Sequence, residues 1–212
     1  MQKRLVRKLD LEKAISEVKP HQKPRAYLEQ YTIPPEAAAK ILYIAAYTYD
    51  DIIDKTIVDL GCGTGRLAIG AVLVGAKEAL GVDIDRMAVR MAHNNAEKMG
   101  VKEKTQWILA DIDVMRGSFD TVLQNPPFGV QRRGADRKFL EKSLELGQRV
   151  YSLHKSGKSS REFIKRFIEK CGGKVTGVFP MEIEIPWLFK FHTKRKHRVQ
   201  TDLYQIEGKG ND

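Results

Sequence analysis

Hydrophobic positions from residue 56 onward follow two alternating patterns along the chain. Short apolar runs typical of buried strands are separated by segments with an apolar residue every three to four positions, typical of helices. This alternation predicts a parallel sheet with crossover helices. The strands are expected at Thr56–Leu60, Glu78–Val82, Thr105–Ala110, Phe119–Gln124, Val150–His154, Lys174–Ile185 and Arg198–Ile206.

The last two strands follow each other without a helix between them, so they are predicted to form an antiparallel hairpin. Helices are expected at Arg66–Val74, Ile84–Met99, Asp136–Leu146 and from Ser159 to Lys170. Ser159, with Glu162 three residues later, is typical of a capping box that opens the last helix.

Residues 1–50 lie outside this alternation. A charged amphipathic helix is expected near Gln2–Val18, and an alanine-rich helix from about Glu36 to Tyr49, after Pro34 and Pro35, which suit a helix start. We therefore expect residues 1–50 to form a helical extension packed on one domain of residues 51–212. That domain is predicted to be α/β, with a seven-stranded, mostly parallel sheet, an antiparallel last strand and helices on both faces.

Composition narrows the class of protein. The 212 residues are 42% hydrophobic and 30% charged, enough for one sizeable core. No run of about 18 apolar residues occurs, and the basic N-terminus lacks an apolar segment, so we expect a cytoplasmic protein without a membrane span. Cys62 and Cys171 are too few for a disulfide framework and form no ligand pair with the five histidines, so no metal site is expected.

The net charge of +10 predicts a polyanionic partner, with RNA or DNA first. Residues 185–200 contain several basic residues and no acid, and three aromatic residues alternate at their start, which suits base stacking beside phosphates. A solvated basic turn with its aromatic rings in the core is an equal alternative. The candidate RNA-binding residues are Lys190, His192, Lys194, Arg195, Lys196 and Arg198, with Arg132, Arg133 and Lys155 from smaller basic clusters.

A glycine-rich loop follows the first strand and opens the first helix of the sheet. Its sequence from Asp59 to Gly65 is D-L-G-C-G-T-G, and its glycines let the backbone approach a ligand closely. The acid before it disfavours a phosphate and suits the cationic or neutral amino-acid end of a cofactor. Asp83 ends the second strand, where a carboxylate accepts from ribose hydroxyls, and Asp111 follows the third, where it can meet an adenine amino group.

Together, the loop and the two acids resemble the S-adenosylmethionine site of class I methyltransferases. A glycine-rich turn without a ligand is the alternative. The predicted cofactor-binding residues of this region are Asp59, Gly61, Gly63, Thr64, Gly65, Asp83, Ile84, Asp111 and Ile112.

The tetrapeptide Asn125, Pro126, Pro127 and Phe128 follows the fourth strand at the edge where open α/β sheets bind ligands. Proline fixes the backbone and has no N–H, so the carbonyl of Pro126 and the amide oxygen of Asn125 are two rigid acceptors. They suit a planar amino group, whose developing positive charge they would stabilise, while Phe128 stacks on a flipped base. An ordinary turn closing the strand is the alternative.

Four further segments of the sequence resemble those of one particular methyltransferase family. They are Leu28–Thr32, Asn125–Gly129, the string Val150–Ser156 (V-Y-S-L-H-K-S) and Phe189–Lys196. With them the chain resembles the methyltransferase-like protein five family, class I enzymes with a Rossmann-like fold that methylate N6 of an adenosine in small-subunit ribosomal RNA. The resemblance runs from about Leu28 to Ile206.

The resemblance implies S-adenosylmethionine as cofactor and assigns further residues a role. A segment of Gln30, Tyr31 and Thr32 would cover the cofactor, although family members often carry the threonine one position later, at Ile33. It also implies a small zinc-binding activator protein as partner. The strand order typical of this fold, 3-2-1-4-5-7-6, leaves the strand at 105–110 as an open edge that such a protein can extend.

Two other functions remain open from the sequence. A glutamine side-chain amide could use the same two acceptors, but protein glutamine methyltransferases typically carry Tyr at the fourth position and a longer N-terminal domain. A non-catalytic RNA-binding assembly module is the second, and the intact set of cofactor residues disfavours it.

Overall fold

The structure is a computed structural model that describes residues 6–128, 134–186 and 196–208, with the backbone alone at 185–186 and 196–197. Its α-helices are α1 (Lys8–Ser16), α2 (Pro35–Tyr43), α3 (Arg66–Val74), α4 (Arg86–Lys98), α5 (Ala135–Leu146) and α6 (Lys158–Lys170). Its strands are β1 (Thr56–Leu60), β2 (Glu78–Asp83), β3 (Thr105–Leu109), β4 (Phe119–Gln124), β5 (Gly147–Lys155), β6 (Lys174–Pro186) and β7 (Lys196–Glu207).

The seven strands form one sheet in the order β3-β2-β1-β4-β5-β7-β6. Strands β1 to β5 are parallel, and β7 is antiparallel to both β5 and β6. The predicted fold class, including the hairpin of the last two strands, is therefore confirmed. The chain reverses direction on the sheet next to β1, since β2 lies on one side of it and β4 on the other.

The apolar residues of the strands pack on both faces of the sheet. One core cluster contains Ile57 of β1 with residues of α1, α2 and α3, and the other contains Val58 with residues of α5 and α6. Neighbouring strand residues point to opposite faces, so β1 contributes to both clusters. The π-helical turn Ile44–Thr48 follows α2, so the predicted Glu36–Tyr49 helix changes its hydrogen bonding before its end. None of the described helices has the length and apolar character to cross a bilayer.

Two local predictions were wrong. The capping box of Ser159 and Glu162 is absent: α6 begins one residue earlier, after Gly157, and Ser160 bonds back to the carbonyl of Lys155. Strand β5 begins at Gly147, directly after α5, rather than at Val150. A side chain there would bring its Cβ within 2.4 Å of Val122, so the close approach of β5 to β4 requires a glycine.

Candidate cofactor and substrate site

The carboxyl ends of β1, β2, β3 and β4 surround a cavity of about 310 Å³. The segment of residues 27–33 forms part of its wall. Most of the predicted cofactor and substrate residues line it, namely Gln30, Tyr31, Thr32, Asp59, Gly61, Gly63, Thr64, Asp83, Ile84, Asp111, Ile112, Asn125 and Pro127. Three predicted residues, Gly65, Pro126 and Phe128, do not line the cavity. Gly65 packs against β3, where a Cβ would lie 2.5 Å from the ring of Trp107.

Asp83 is held at the end of β2 by two backbone donors. Its carboxylate accepts from the N–H of Gly63 and from the N–H of Asp85, both at 2.8 Å. Burial raises the pKa of Asp83, and these two hydrogen bonds oppose that effect. Each carboxylate oxygen has two lone pairs, so both keep one for a ligand hydroxyl. The position predicted for ribose recognition is therefore fixed before a ligand arrives.

Asp59 is the acid at the start of the glycine loop, and it is 1% exposed. It accepts a hydrogen bond of 3.1 Å from the N–H of Ala68 in α3. Burial raises the pKa of Asp59 to about 7, since a charged carboxylate in this place has lost most of its hydration. A cationic group in the cavity would restore the charged form.

Contacts on both sides hold the segment of residues 27–33. The side-chain amide of Gln30 donates to Asp85 at 3.0 Å, and Thr32 Oγ1 accepts from the N–H of His21 at 3.3 Å. Arg66 of α3 donates to the carbonyl oxygens of Ile33 and Val18. Sequence reasoning missed Arg66 and Asp85, although each lies within two residues of a predicted cofactor residue.

The tetrapeptide after β4 meets this segment through Tyr31. The phenol hydroxyl donates to Asn125 Oδ1 at 3.0 Å, and the ring centre lies 5.5 Å from that of Phe128, tilted by 40°. Burial raises the pKa of Tyr31, so the phenol is protonated and acts as a donor. The two predicted groups, one covering the cofactor and one holding the substrate, are therefore in direct contact.

Asp111 makes an ion pair that was not predicted from the sequence. Lys138 of α5 lies 2.7 Å from Asp111 and 2.8 Å from Asp113, and it also lines the cavity. The carboxylate of Asp111 also accepts from the N–H of Asp113 at 3.0 Å. Sequence reasoning missed this pair, because nothing in the spacing of Lys138 indicates a partner 27 residues away.

The string Val150–Ser156 lies in β5 and just beyond it, and β5 pairs with β4, which the tetrapeptide follows. Gln124, directly before Asn125, donates to Ser152 at 2.8 Å, and Ser152 is 2.6 Å from His154 Nε2. Burial lowers the pKa of His154 to about 4, so its ring is neutral. A buried polar chain therefore supports the end of β4, which accounts for the polar residues within this strand.

The candidate RNA-binding residues are only partly described. Arg198 is exposed and lies 3.4 Å from Glu182, and Lys155 is exposed at the end of β5. Lys196 begins β7, and only its backbone is described. The other six, Lys190, His192, Lys194, Arg195, Arg132 and Arg133, lie outside the described residues.

Unsatisfied polar atoms test whether a cofactor fits the cavity. Thr64 Oγ1, His21 Nε2 and Arg66 Nε are buried without a hydrogen-bond partner in the described structure, and all three residues line the cavity. At Gly63 an added Cβ would meet nothing within 4 Å, so the loop leaves open space. The cavity thus offers donors and carboxylates to a ligand with hydroxyl and charged groups. In the described ranges, no cluster of three or more metal-binding side chains occurs.

Comparisons with known proteins show which proteins this chain is similar to. Residues 42–126 match the family model of ribosomal protein L11 methyltransferase. The chain is 34% identical to the rRNA N6-adenosine-methyltransferase METTL5 of Danio rerio, over 93% of this chain and 97% of that protein. It is 38% identical to an uncharacterised protein of Methanocaldococcus jannaschii, over 97% and 96% of the two chains. The crystal structure of a candidate RNA methyltransferase from Pyrococcus horikoshii is 39% identical, with a TM-score of 0.89 over 97% and 99%.

Together with these relatives, the sheet order and the cavity at its carboxyl edge define a class I methyltransferase that uses S-adenosylmethionine. The sequence identity to METTL5 proteins is above 30% over nearly their full length, which narrows the class to one family. It belongs to the METTL5 family of methyltransferases. The predicted family, enzyme class and cofactor are confirmed.

Proposed function

We propose that the protein transfers a methyl group from S-adenosylmethionine to N6 of an adenosine in ribosomal RNA, and that this RNA belongs to the small subunit. The observation that carries the proposal is the position of Asn125, which lines the same cavity as Asp59 and Asp83. METTL5 relatives from Danio rerio, Drosophila melanogaster and Caenorhabditis elegans are named rRNA N6-adenosine-methyltransferases. The net charge of +10 supports an RNA substrate.

In the proposed mechanism the residues after β4 hold the target amine. The lone pair of an adenine amino group is delocalised into the ring, so the amine is a poor nucleophile. Asn125 Oδ1 and the carbonyl of Pro126 would accept from its two N–H groups, orient it and stabilise the positive charge that develops on N6. Phe128 would stack on the flipped base. Bound S-adenosylmethionine supplies the electrophilic methyl group.

Mass spectrometry of nucleosides tests this function. Purified small-subunit and large-subunit ribosomal RNA would each be incubated with the protein and methyl-labelled cofactor, then digested. Labelled N6-methyladenosine from the small-subunit RNA is expected, with Asn125→Ala as the inactive control. Label in large-subunit RNA alone would contradict the subunit assignment. Label in a protein glutamine would favour the amide alternative, and no label in either RNA would favour an assembly role.

We also propose that the exposed basic residues Lys155 and Arg198, with the basic stretch 190–198, dock this RNA. Residues 1–50 would form a helical extension packed on the core, and residues 51–212 the methyltransferase domain. Support comes from α1 and α2, which share a core cluster with α3. We also propose a cytoplasmic location for the protein, which fits a ribosomal RNA substrate.

A small zinc-binding activator is the proposed protein partner. Within the described residues β3 pairs with β2 alone and is an edge strand, with Ile108 and Leu109 exposed at 36% and 43%. Apolar residues on an open edge favour pairing with another chain by strand addition. Amide hydrogen exchange tests this: added activator should slow exchange at residues 105–110. Protection elsewhere, or nowhere, would contradict the placement.

A further inference from the structure

A second cavity, of about 250 Å³, lies at the hairpin of β6 and β7, where α6 packs against β6. It shares no lining residue with the cofactor cavity. Its volume is slightly below the range typical of small-molecule sites, so it suits a group the size of one planar ring. This hairpin cavity is lined by Arg161, Lys165, Val175, Val178, Pro180 and Tyr204.

Tyr204 brings a buried hydroxyl to the hairpin cavity. The residue is 1% exposed, and its hydroxyl has no hydrogen-bond partner in the described structure. Burial raises the pKa of Tyr204 to about 12, so the phenol keeps its proton and can donate it. A buried polar group without a partner is unfavourable, so a ligand that carries an acceptor would stabilise this place.

Two cations of α6, Arg161 and Lys165, line the same cavity, and none of its described lining residues is an acid. The buried carboxylate of Asp202 accepts from Nε and Nη2 of Arg161, both at 2.7 Å, and Ser156 accepts from Nη2 at 3.2 Å. These bonds fix the guanidinium and leave Nη1 for an anion. Lys165 is exposed, so a second positive charge is available beside it.

The rest of the cavity wall is apolar and comes from β6, the last strand in the sheet order. Val178 is 40% exposed, and Pro180 is exposed as well. An apolar wall can pack against the face of a nucleobase, a buried hydroxyl can meet an acceptor on its edge, and cations can bind its phosphate. The hairpin cavity therefore offers one contact for each part of a nucleotide.

The sheet order places the hairpin cavity within reach of the target amine. Ser156, which bonds to Arg161, follows β5 at the same edge of the sheet where Asn125 follows β4. Strand β6 lies three strand spacings from β4, or about 14 Å at about 4.8 Å each. About four stacked nucleotides of a single strand cover this distance at about 3.4 Å each.

We propose that the hairpin cavity binds an unpaired nucleotide of the substrate RNA, within about four nucleotides of the methylated adenosine. Its base lies against Val178 and Pro180 and accepts from the hydroxyl of Tyr204, while Arg161 and Lys165 bind its phosphate. The cavity thus selects RNA in which this nucleotide is free to leave a duplex. The inference rests on the proposed RNA substrate and adds a site outside the basic stretch 190–198.

Tyr204→Phe tests the hydroxyl, because it keeps the ring. Fluorescence anisotropy with a small-subunit RNA oligonucleotide that contains the methylated adenosine should show a Kd about threefold to tenfold higher. The value of kcat at saturating RNA and the Kd for S-adenosylhomocysteine should stay within about twofold. The Tm should not fall, since the hydroxyl has no partner to lose in the described structure. Tyr43→Phe, in α2, is the matched control and should leave the Kd for RNA unchanged.

Lys165→Gln tests the cation. It should raise the Kd for the same RNA and lower the slope of log K against log salt by about 0.7, the contribution of one phosphate of a single strand. Lys170→Gln removes another exposed lysine of α6 that does not line the cavity, and it should change neither value. An unchanged Kd in either Tyr204→Phe or Lys165→Gln would overturn the proposal, because the hydroxyl and the cation act on one nucleotide.

Photo-cross-linking locates the nucleotide. A single 5-iodouridine would be placed in turn at each position within about four nucleotides of the target adenosine. At one position it should cross-link to Tyr204 or to residues 174–181. Cross-links confined to other segments would overturn the proposal and leave the β6 edge to a protein partner. Methylation of the same RNA separates the two proposals: labelled RNA without this cross-link refutes the hairpin site alone, and RNA without label refutes the proposed function as well.

Discussion

Tyr31 and Asn125 are 94 residues apart in sequence and share a hydrogen bond of 3.0 Å at the cofactor cavity. An asparagine amide can turn over and exchange its acceptor for a donor with little change in shape. In the turned orientation the buried phenol proton would lose its acceptor, which is unfavourable. Tyr31 therefore favours the orientation that keeps Oδ1 towards it, with a second lone pair left for the target amine.

Tyr31→Phe should lower kcat by about tenfold, because the amide of Asn125 is no longer held in one orientation. The ring contact with Phe128 remains, so the KM for RNA and the Kd for S-adenosylhomocysteine should stay within about twofold. Steady-state kinetics and calorimetry measure the two effects separately. Tyr43→Phe removes a phenol from α2 away from the cavity and is the control. A loss of cofactor affinity with unchanged kcat would contradict the positioning role.

Asn125→Ala should abolish detectable turnover, because it removes one of the two acceptors for the target amine. Affinity for S-adenosylhomocysteine should be nearly unchanged, since the residue acts on the amine rather than on the cofactor. Single-turnover methylation and calorimetry provide the two readings. A variant that loses cofactor binding but keeps its rate at saturating cofactor would assign the tetrapeptide a structural role.

Asp83→Ala should weaken binding of S-adenosylmethionine at least about tenfold, because a carboxylate accepting two charge-assisted hydrogen bonds contributes about 1.5–3 kcal/mol for each. The same change removes the acceptor for the N–H of Gly63, so the glycine loop should also lose order. Calorimetry measures the affinity, and circular dichroism confirms that the variant is folded. Unchanged affinity in a folded variant would refute the assignment.

Cofactor affinity should depend on pH through Asp59, whose pKa is raised to about 7. The protonated carboxyl must lose its proton to pair with an ammonium group, so affinity should rise as pH increases towards about 7 and level off above it. Calorimetry at pH values from about 6 to about 8 measures this. Asp59→Asn should bind weakly, with a flatter profile. A wild-type affinity that falls over this range would contradict the pairing.

The proposed docking of RNA on the basic stretch 190–198 can be tested by its dependence on salt. Neutralising Lys194, Arg195 and Lys196 together should weaken RNA binding and lower the slope of log K against log salt by roughly two to three units, about 0.7–0.9 for each phosphate that these side chains neutralise. Binding at several salt concentrations, measured by fluorescence anisotropy, yields the slope. An unchanged slope would return these residues to a solvated basic turn.

The fold was predictable because local patterns decide it. The bounds of β1, β4 and α3 agree with the apolar runs. Gly75 ends α3 with a positive φ, a conformation that glycine adopts more readily than other residues. The edge position of Asp59 and Asp83 also follows from the pattern, because residues that end parallel strands share one edge.

Other features depend on tertiary pairs that no local pattern encodes. Tyr31 reaches Asn125, Lys138 reaches Asp111, and Arg66 reaches Val18, each across at least 27 residues. Such pairs exist only after the sheet has formed. The prediction of the capping box was wrong for a related reason. Strand β5 ends at Lys155 and α6 begins after Gly157, so Ser159 already lies within the helix.

Trp107 links the edge strand β3 to the glycine loop of the cofactor cavity. Its ring, on the edge strand β3, fills the space left by Gly65 and Gly81, where an added Cβ would approach within 2.5 Å and 2.4 Å. A chain that pairs with β3 and displaces this ring would remove its packing against Gly65 at the end of the glycine loop. Cofactor and edge partner then share one coupling free energy: whatever factor the partner applies to cofactor affinity, the cofactor applies equally to the partner.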